Sequence, residues 1–295
     1  MKSFVFLLLA CTAANLPGQF QGHISTISPL DAPQNHYATL QQLNAEPRPG
    51  VPLDTLVYPP ESYHNGTLLF ALAKPHYLTS EQVDFLVGEV HFPANSSAQT
   101  RAELDFLLDL QHKRTDAQTE RVLEIGKIGY WPDANYLPTH RSYQKNLEHL
   151  FFECREVLGD TCTAEKYPAT TDLLRGIMND MRVMEFAVKY RLLRARPYQL
   201  EPRLEPLKKI GSPSFASGHT LWAYLQAFTL AELLPEHRTA FLDLAYEIGF
   251  SREIMGVHYP SDEEAARQLA HRMLWLMWHT ERFQQDFRTA RAEWQ

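Results

Sequence analysis

The chain has 295 residues, 44% of them hydrophobic, which is enough to bury a full core in one large domain or two small ones, and we expect one. The 28 Lys and Arg residues against 35 Asp and Glu residues give a formal net charge of -7, which repels a polyanionic backbone. The balance argues against broad nucleic-acid binding, so any anion pocket has to be local.

Residues 1–20 have the pattern of a signal peptide, because a lysine precedes an apolar run over residues 4–10 that is too short to span a bilayer. The tetrapeptide Leu8-Leu9-Ala10-Cys11 resembles a bacterial lipobox, which predicts lipidation of Cys11. The alternative is an ordinary signal cleaved near Ala14. Both interpretations predict a periplasmic or secreted protein, and the first adds a lipid anchor to a bacterial membrane.

The next segment, residues 21–66, is rich in Pro, Gln, Asn and Ser and has no sustained helical period. We expect an irregular tether there, followed by a single folded domain over residues 67–295. The longest later stretch without charged residues, 211–231, contains several polar side chains and does not suit a transmembrane helix.

Helical patterns dominate the folded part. Thr100 with Glu103, and Thr115 with Gln118, have capping-box spacing. A core stripe with three- and four-residue steps follows, formed by Leu173, Ile177, Met181, Met184, Val188 and Leu192. Residues 220–234 are apolar almost all round, which is typical of a helix inside a bundle. Strand-like alternation is scarce, so the sequence predicts an all-α helical domain.

Cys154 and Cys162 are the two cysteines that remain after Cys11, and in an oxidising compartment they predict a local disulfide. The alternative is a pair of buried thiols that pack as small apolar side chains.

The first of three candidate segments carries Lys189 and Arg196-Pro197 at the end of the striped helix. The two cations would lie about two turns apart on similar faces if the helix continued that far. The alternative is a solvated basic helix end that complements the helix dipole. We assign the neighbouring Arg191 and Arg194 to such a solvated face.

The second segment, Ser217-Gly218-His219, leads straight into the apolar helix. Small residues at a helix start let backbone N–H groups approach an anion, and the helix dipole favours negative charge there. The alternative role is helix capping by Ser217.

The third segment contains Arg252, His258 and Asp262. An arginine can bind phosphate oxygens through two N–H groups, and a carboxylate can fix the tautomer of a histidine by bonding one ring nitrogen. The alternative is a buried structural His–Asp pair.

Together the three segments resemble the signature of the phosphatidic acid phosphatase type 2 (PAP2) superfamily, which also contains the vanadium haloperoxidases. The bacterial class A nonspecific acid phosphatases, which are exported and α-helical, resemble the chain most. Two positions depart from the pattern, since Ala216 stands where proline is frequent and Ala266 where glycine is frequent.

The resemblance implies hydrolysis of a small phosphomonoester by way of a phosphohistidine. In that scheme His258 is the nucleophile, Asp262 orients it, and His219 transfers protons. The phosphate would be held by Lys189, Arg196, Ser217, Gly218 and Arg252. The resemblance also implies that no metal or other cofactor is needed, with vanadate acting as an inhibitor that mimics phosphate.

Three other functions are compatible with parts of this pattern. A vanadium haloperoxidase would use the same pocket but usually has a longer chain, and a membrane lipid phosphatase would need several spans. A noncatalytic periplasmic anion-binding protein would not need paired histidines. The sequence leaves both a monomer and a homo-oligomer open.

Overall fold

The computed structural model describes residues 36–42, 53–59, 70–129 and 138–295. The α-helices in these ranges are α1 His36–Gln42, α2 Ser80–Glu89, α3 Ala98–Lys113, α4 Asp116–Ile125, α5 Tyr143–Leu150, α6 Phe152–Leu158, α7 Pro168–Leu192, α8 Pro197–Leu200, α9 Gly218–Leu233, α10 Arg238–Ile254, α11 Pro260–Trp278 and α12 Glu281–Arg291. The described residues contain no β-strand, and one isolated bridge pairs Val57 with Arg194. The all-α prediction is confirmed.

Helix α9 is the centre of the bundle. It packs most extensively against α10 and α11 and also contacts α7, so it is surrounded by helices, as its apolar residues predict. Nearly all of its side chains are buried. This position places the N-terminus of α9 inside the protein.

Helix α7 buries the predicted stripe, but it ends sooner than the first candidate segment requires. Leu192 is its last residue, and Leu193 adopts a left-handed backbone with φ 53°. Arg196 therefore lies beyond α7, immediately before α8, and not two helical turns after Lys189 on one face. The break turns the backbone so that both cations point into the interior.

The capping predictions had different outcomes. Thr115 and Gln118 form the expected reciprocal box at the start of α4. The Thr100–Glu103 box was wrong, because Ser97 caps α3 and Thr100 lies inside the helix. Both Thr100 and Glu103 are fully buried, so their spacing reflects packing inside the domain.

Parts of the predicted tether pack on the domain. Helix α1 contacts α3 and α11, and His36 lies 2.6 Å from a carboxylate oxygen of the buried Glu253. Tyr58, which is also buried, donates its backbone N–H to the carbonyl of Leu193 at 2.8 Å. The prediction of an irregular leader is therefore wrong for residues 36–42 and 53–59. The predicted signal peptide, including Cys11, lies outside the described residues.

Cys154 and Cys162 are free and buried, and their thiols are close enough to share a hydrogen bond. The predicted disulfide is not formed in this structure, which contains the alternative, a pair of buried thiols. Among the described residues, no helix combines the length and apolar content needed to cross a bilayer.

Candidate active site

All three candidate segments meet at the N-terminus of α9. The chain leaving α7 supplies one side, the loop before α9 supplies the floor, and the end of α10 with the start of α11 supplies the other side. The candidate residues are buried, except that His219 retains partial exposure. The prediction that these segments form one site agrees with their placement.

His258 and Asp262 form a buried pair. His258 Nδ1 lies 3.0 Å from Asp262 Oδ2, which also accepts hydrogen bonds from the Ser214 hydroxyl at 2.5 Å and the Tyr259 N–H at 3.1 Å. Because a carboxylate only accepts, His258 Nδ1 carries the proton and Nε2 keeps its lone pair. Burial and the nearby Arg196 lower the pKa of His258 well below its ordinary value, which favours a neutral imidazole.

Arg194 completes this pair, although the sequence placed it on a solvated face. Its Nη1 donates to Asp262 Oδ1 at 2.6 Å and to Ser261 Oγ at 2.8 Å, and its guanidinium lies 3.8 Å from the ring centre of Tyr259. Burial alone would raise the pKa of Asp262, but Arg194 and the bond from His258 outweigh it and hold that pKa below its ordinary value. The carboxylate therefore stays charged.

Lys189 holds the loop in front of α9. Its ammonium donates to the carbonyl oxygens of Pro213 at 2.9 Å, Ser214 at 3.1 Å and Ala216 at 2.8 Å. Three acceptors match the three protons of an ammonium group. Burial and the neighbouring Arg196 lower the pKa of Lys189 to about 7. Lys189 therefore holds the loop, and its N–H groups are already bonded.

The hydrogen-bond donors of Arg196 are also fully used. Its Nε donates to the Ser212 carbonyl at 2.9 Å, and its Nη2 bonds the Ser212 hydroxyl at 3.3 Å and the Pro213 carbonyl at 3.0 Å. Its Nη1 donates to the Val257 carbonyl at 2.8 Å and to His258 Nε2 at 2.9 Å. These contacts use all five guanidinium protons, and one of them covers the lone pair of His258.

Arg252 differs from both of these cations. Its Nε and Nη1 atoms are buried and have no hydrogen-bond partner among the described residues. A buried charged donor without a partner is costly, so these two nitrogen atoms are candidates for binding an anion. Burial lowers the pKa of Arg252 only to about 10, which leaves the guanidinium charged.

The start of α9 has the expected form. Ser217 is its N-cap, accepting the N–H of Thr220, and Gly218 is its first residue. A Cβ atom at Gly218 would overlap with a carboxylate oxygen of Glu185, which also lies 3.9 Å from Lys189 Nζ. Only glycine leaves room for that approach. The capping role considered for Ser217 is thus present, whereas no pattern in the sequence indicated Glu185.

His219 stands one residue inside α9, and its Nε2 is buried without a partner among the described residues. Burial lowers its pKa well below the ordinary value, and the charges of Arg252 and Arg182 lower it further. An anion placed between His219 and Arg252 would bond both orphaned groups and lie near the positive end of the α9 dipole.

The comparisons with known proteins agree with this arrangement. Residues 170–286 match the model of the PAP2 superfamily. The non-specific acid phosphatase of Providencia stuartii is 30% identical over 146 residues, covering 47% of this chain and 58% of that one. The enzyme of the same name from Salmonella typhimurium is 32% identical over 132 residues, covering 42% of this chain and 50% of the other. The chain thus spans about half the length of these curated relatives.

Among solved structures, a bacterial vanadium-dependent iodoperoxidase aligns with a TM-score of 0.49 at 17% identity, covering 82% of this chain and 63% of the other.

The described residues form an all-α fold with a buried cluster of Lys and Arg side chains beside a His–Asp pair. Residues 170–286, which match the model of the PAP2 superfamily, include the three segments that resemble the signature of that superfamily. The matched region contains every member of those segments, from Lys189 to Asp262.

Proposed function

We propose that the protein is an acid phosphatase that hydrolyses small phosphate monoesters through a phosphohistidine on His258. The observation that carries this proposal is the pair of orphaned groups, Arg252 and His219, at the N-terminus of α9 next to a neutral His258. The acid phosphatases among the partial relatives support the same reaction.

In the first step a phosphate oxygen accepts the Arg196 N–H that covers His258 Nε2, which frees the lone pair for in-line attack on phosphorus. The N–P bond forms while the P–O bond to the alcohol breaks, and protonated His219 gives its proton to the departing oxygen. Arg252 and the N–H groups at the start of α9 bond the equatorial oxygens as they gain charge.

In the second step water attacks the phosphohistidine. His219, now neutral, accepts a proton from that water, the N–P bond breaks, and inorganic phosphate leaves. Asp262 stays ionised throughout, since Arg194 balances its charge, and it stabilises the positive ring of His258 as the N–P bond forms.

His219 has to be protonated before it can act as the general acid. The pKa of this histidine is lowered by burial and by nearby cations, but a bound phosphate dianion offsets those charges and raises it again. Substrate binding would therefore favour the protonated form of His219, which is the general acid.

The proposal assigns the charge-neutralising role to Lys189, Arg196 and Arg252, so no step requires a metal ion. The direct test is hydrolysis of p-nitrophenyl phosphate with and without excess chelator. We expect activity to persist in chelator and orthovanadate to compete with substrate. Loss of activity in chelator that a divalent ion restores would overturn metal independence, and halide oxidation with bound vanadate but no ester hydrolysis would identify a haloperoxidase. Phosphate binding without turnover would instead indicate an anion-binding protein.

For location we propose export, which the apolar run before Cys11 supports. If Cys11 is lipidated, Cys11→Ser should move the protein from the membrane fraction to the soluble periplasm. Unchanged fractionation would leave the ordinary signal as the explanation.

A further inference from the structure

A chain of hydrogen bonds runs from the start of α9 to a buried acid on α11. The Ser217 hydroxyl donates to Thr220 Oγ1 at 3.1 Å, and the Thr220 hydroxyl in turn donates to Glu263 Oε2. Glu263 follows Asp262 directly, so α11 presents two adjacent carboxyl groups to the site. The sequence pattern assigned a role to Asp262 but not to Glu263.

Glu263 and Arg252 each have unused hydrogen-bonding capacity in the same buried region. Glu263 Oε1 has no partner among the described residues, and neither have Arg252 Nε and Nη1. The two groups are close enough that the charge of Glu263 acts on Arg252 more than that of any other ionisable group. An acceptor and two donors thus lie near one another without bonding.

Several charged groups face Glu263. Helix α10 contributes Arg252 and Glu253, α11 contributes the neighbouring Asp262, and α7 contributes Lys189. Helix α9 contributes Tyr224 and the hydroxyls of Ser217 and Thr220. Burial raises the pKa of Glu263 well above its ordinary value, and the carboxylates of Glu253 and Asp262 raise it further. The neutral acid is therefore the form that leaves Arg252 unbonded.

We propose that Glu263 is a positioning residue for phosphate capture, acting on Arg252 directly and on Ser217 through Thr220. This inference rests on the proposed phosphatase function. As a neutral acid, Glu263 leaves the Arg252 guanidinium available to phosphate and anchors Thr220 under the Ser217 hydroxyl. As a carboxylate, it forms an ion pair with Arg252 and so competes with the substrate phosphate.

The sign of the pH dependence follows from this competition. Protonated Glu263 predominates at low pH, so Arg252 is free and phosphate binds tightly. As the pH rises through the pKa of Glu263, the carboxylate forms and phosphate affinity falls. The expected effect is on Kd and KM, while kcat changes less, because Glu263 does not touch the reacting atoms.

The test compares Glu263→Gln, a permanently neutral mimic, with the wild type and with the matched control Glu264→Gln. Glu264, one residue further on, pairs with Arg267 at 2.6 Å and is partly exposed. Phosphate affinity is measured by calorimetry between pH 5 and pH 9, together with kcat and KM for p-nitrophenyl phosphate. Phosphate itself titrates identically in all three proteins, so differences between their curves report on the protein.

We expect the wild type and Glu264→Gln to lose phosphate affinity together as the pH rises. Glu263→Gln should keep its affinity to higher pH, binding phosphate about tenfold tighter than the wild type at the alkaline end, the scale of one charge-assisted hydrogen bond. Curves of Glu263→Gln and Glu264→Gln that coincide, or an equal loss of affinity at every pH, would overturn the inference.

A second variant tests the link to Ser217. Thr220→Val removes the hydroxyl that joins Ser217 to Glu263 and should raise KM several-fold. Because the hydrogen bond from Thr220 lowers the pKa of Glu263, its loss should also move the fall in phosphate affinity to higher pH. An unchanged KM would contradict the link. If phosphate binding behaves as expected but the wild type does not hydrolyse any phosphomonoester, the proposed function fails and the role of Glu263 in anion binding stands.

Discussion

Arg194 Nη1 lies 2.6 Å from Asp262 Oδ1, and neither side chain is exposed to solvent. The contact joins the chain that leaves α7 to the first turn of α11, and it fixes the carboxylate that orients His258. The orientation of the proposed nucleophile therefore depends on a cation that lies two residues beyond Leu192, the last residue of α7 and of the core stripe.

Replacing Arg194 should cost both stability and activity. Arg194→Met leaves Asp262 as a buried charge without its partner, so we expect a loss of about 3–5 kcal/mol in the free energy of unfolding. Arg191→Met is the matched control, because Arg191 lies three residues earlier and is exposed. Urea unfolding of both variants measures the difference. Equal stability would show that the buried pair contributes nothing.

Lys189 and Arg252 should respond differently to removal. Lys189→Met leaves three loop carbonyls without their donor and should unfold at lower denaturant, whereas Arg252→Met removes a guanidinium with two unpartnered nitrogen atoms and should not. Arg252→Met should instead weaken phosphate binding by about ten- to a hundredfold. Calorimetry and chemical unfolding separate the two effects. A stable Lys189→Met, or an Arg252→Met that binds phosphate normally, would contradict this division.

Phosphate binding should take up protons. Near neutral pH His219 is neutral before phosphate binds, since burial and neighbouring cations lower its pKa, and the bound dianion raises that pKa again. By linkage, affinity increases as the pH falls. Binding heats in buffers of different ionisation enthalpy give the number of protons taken up. His219→Gln should reduce that number, and an identical uptake in both proteins would exclude His219 as the group that titrates.

Gly218 should tolerate no side chain. In Gly218→Ala the new methyl group overlaps with the carboxylate of Glu185, so we expect a loss of about 1–3 kcal/mol in stability together with weaker phosphate binding. Gly88→Ala on α2 is the control, because its Cβ would have no atom within 4 Å and stability should change by no more than about 1 kcal/mol. Thermal unfolding of both variants decides whether the close approach at Gly218 is required.

Local patterns were sufficient to predict most of the fold and to identify three segments that the structure brings together. The stripe from Leu173 to Leu192 and the apolar run of α9 are periodicities that a bundle demands, and the Ser217-Gly218-His219 start follows from what a helix N-terminus needs. These signals lie within a few residues of one another, which is why sequence spacing captures them.

The bonding of the cations could not be predicted in the same way. Lys189 bonds carbonyls more than twenty residues away, and Arg194 meets Asp262 across 68 positions, so neither partner is visible in local spacing. The left-handed residue that redirects the chain before Arg194 is Leu193, which has no sequence signal for that conformation. The sequence therefore indicates a solvated face for Arg194 and assigns no role to Glu263.

The most direct test of the central claim is to trap the covalent intermediate. Labelled substrate is mixed with enzyme, quenched within milliseconds, and the labelled peptide is mapped. The account predicts an acid-labile, alkali-stable label on His258 in the wild type, more label in His219→Ala because hydrolysis of the intermediate lacks its base, and none in His258→Ala. Label that persists in His258→Ala, or that maps to Ser217 or His219, would show that the nucleophile is a different residue.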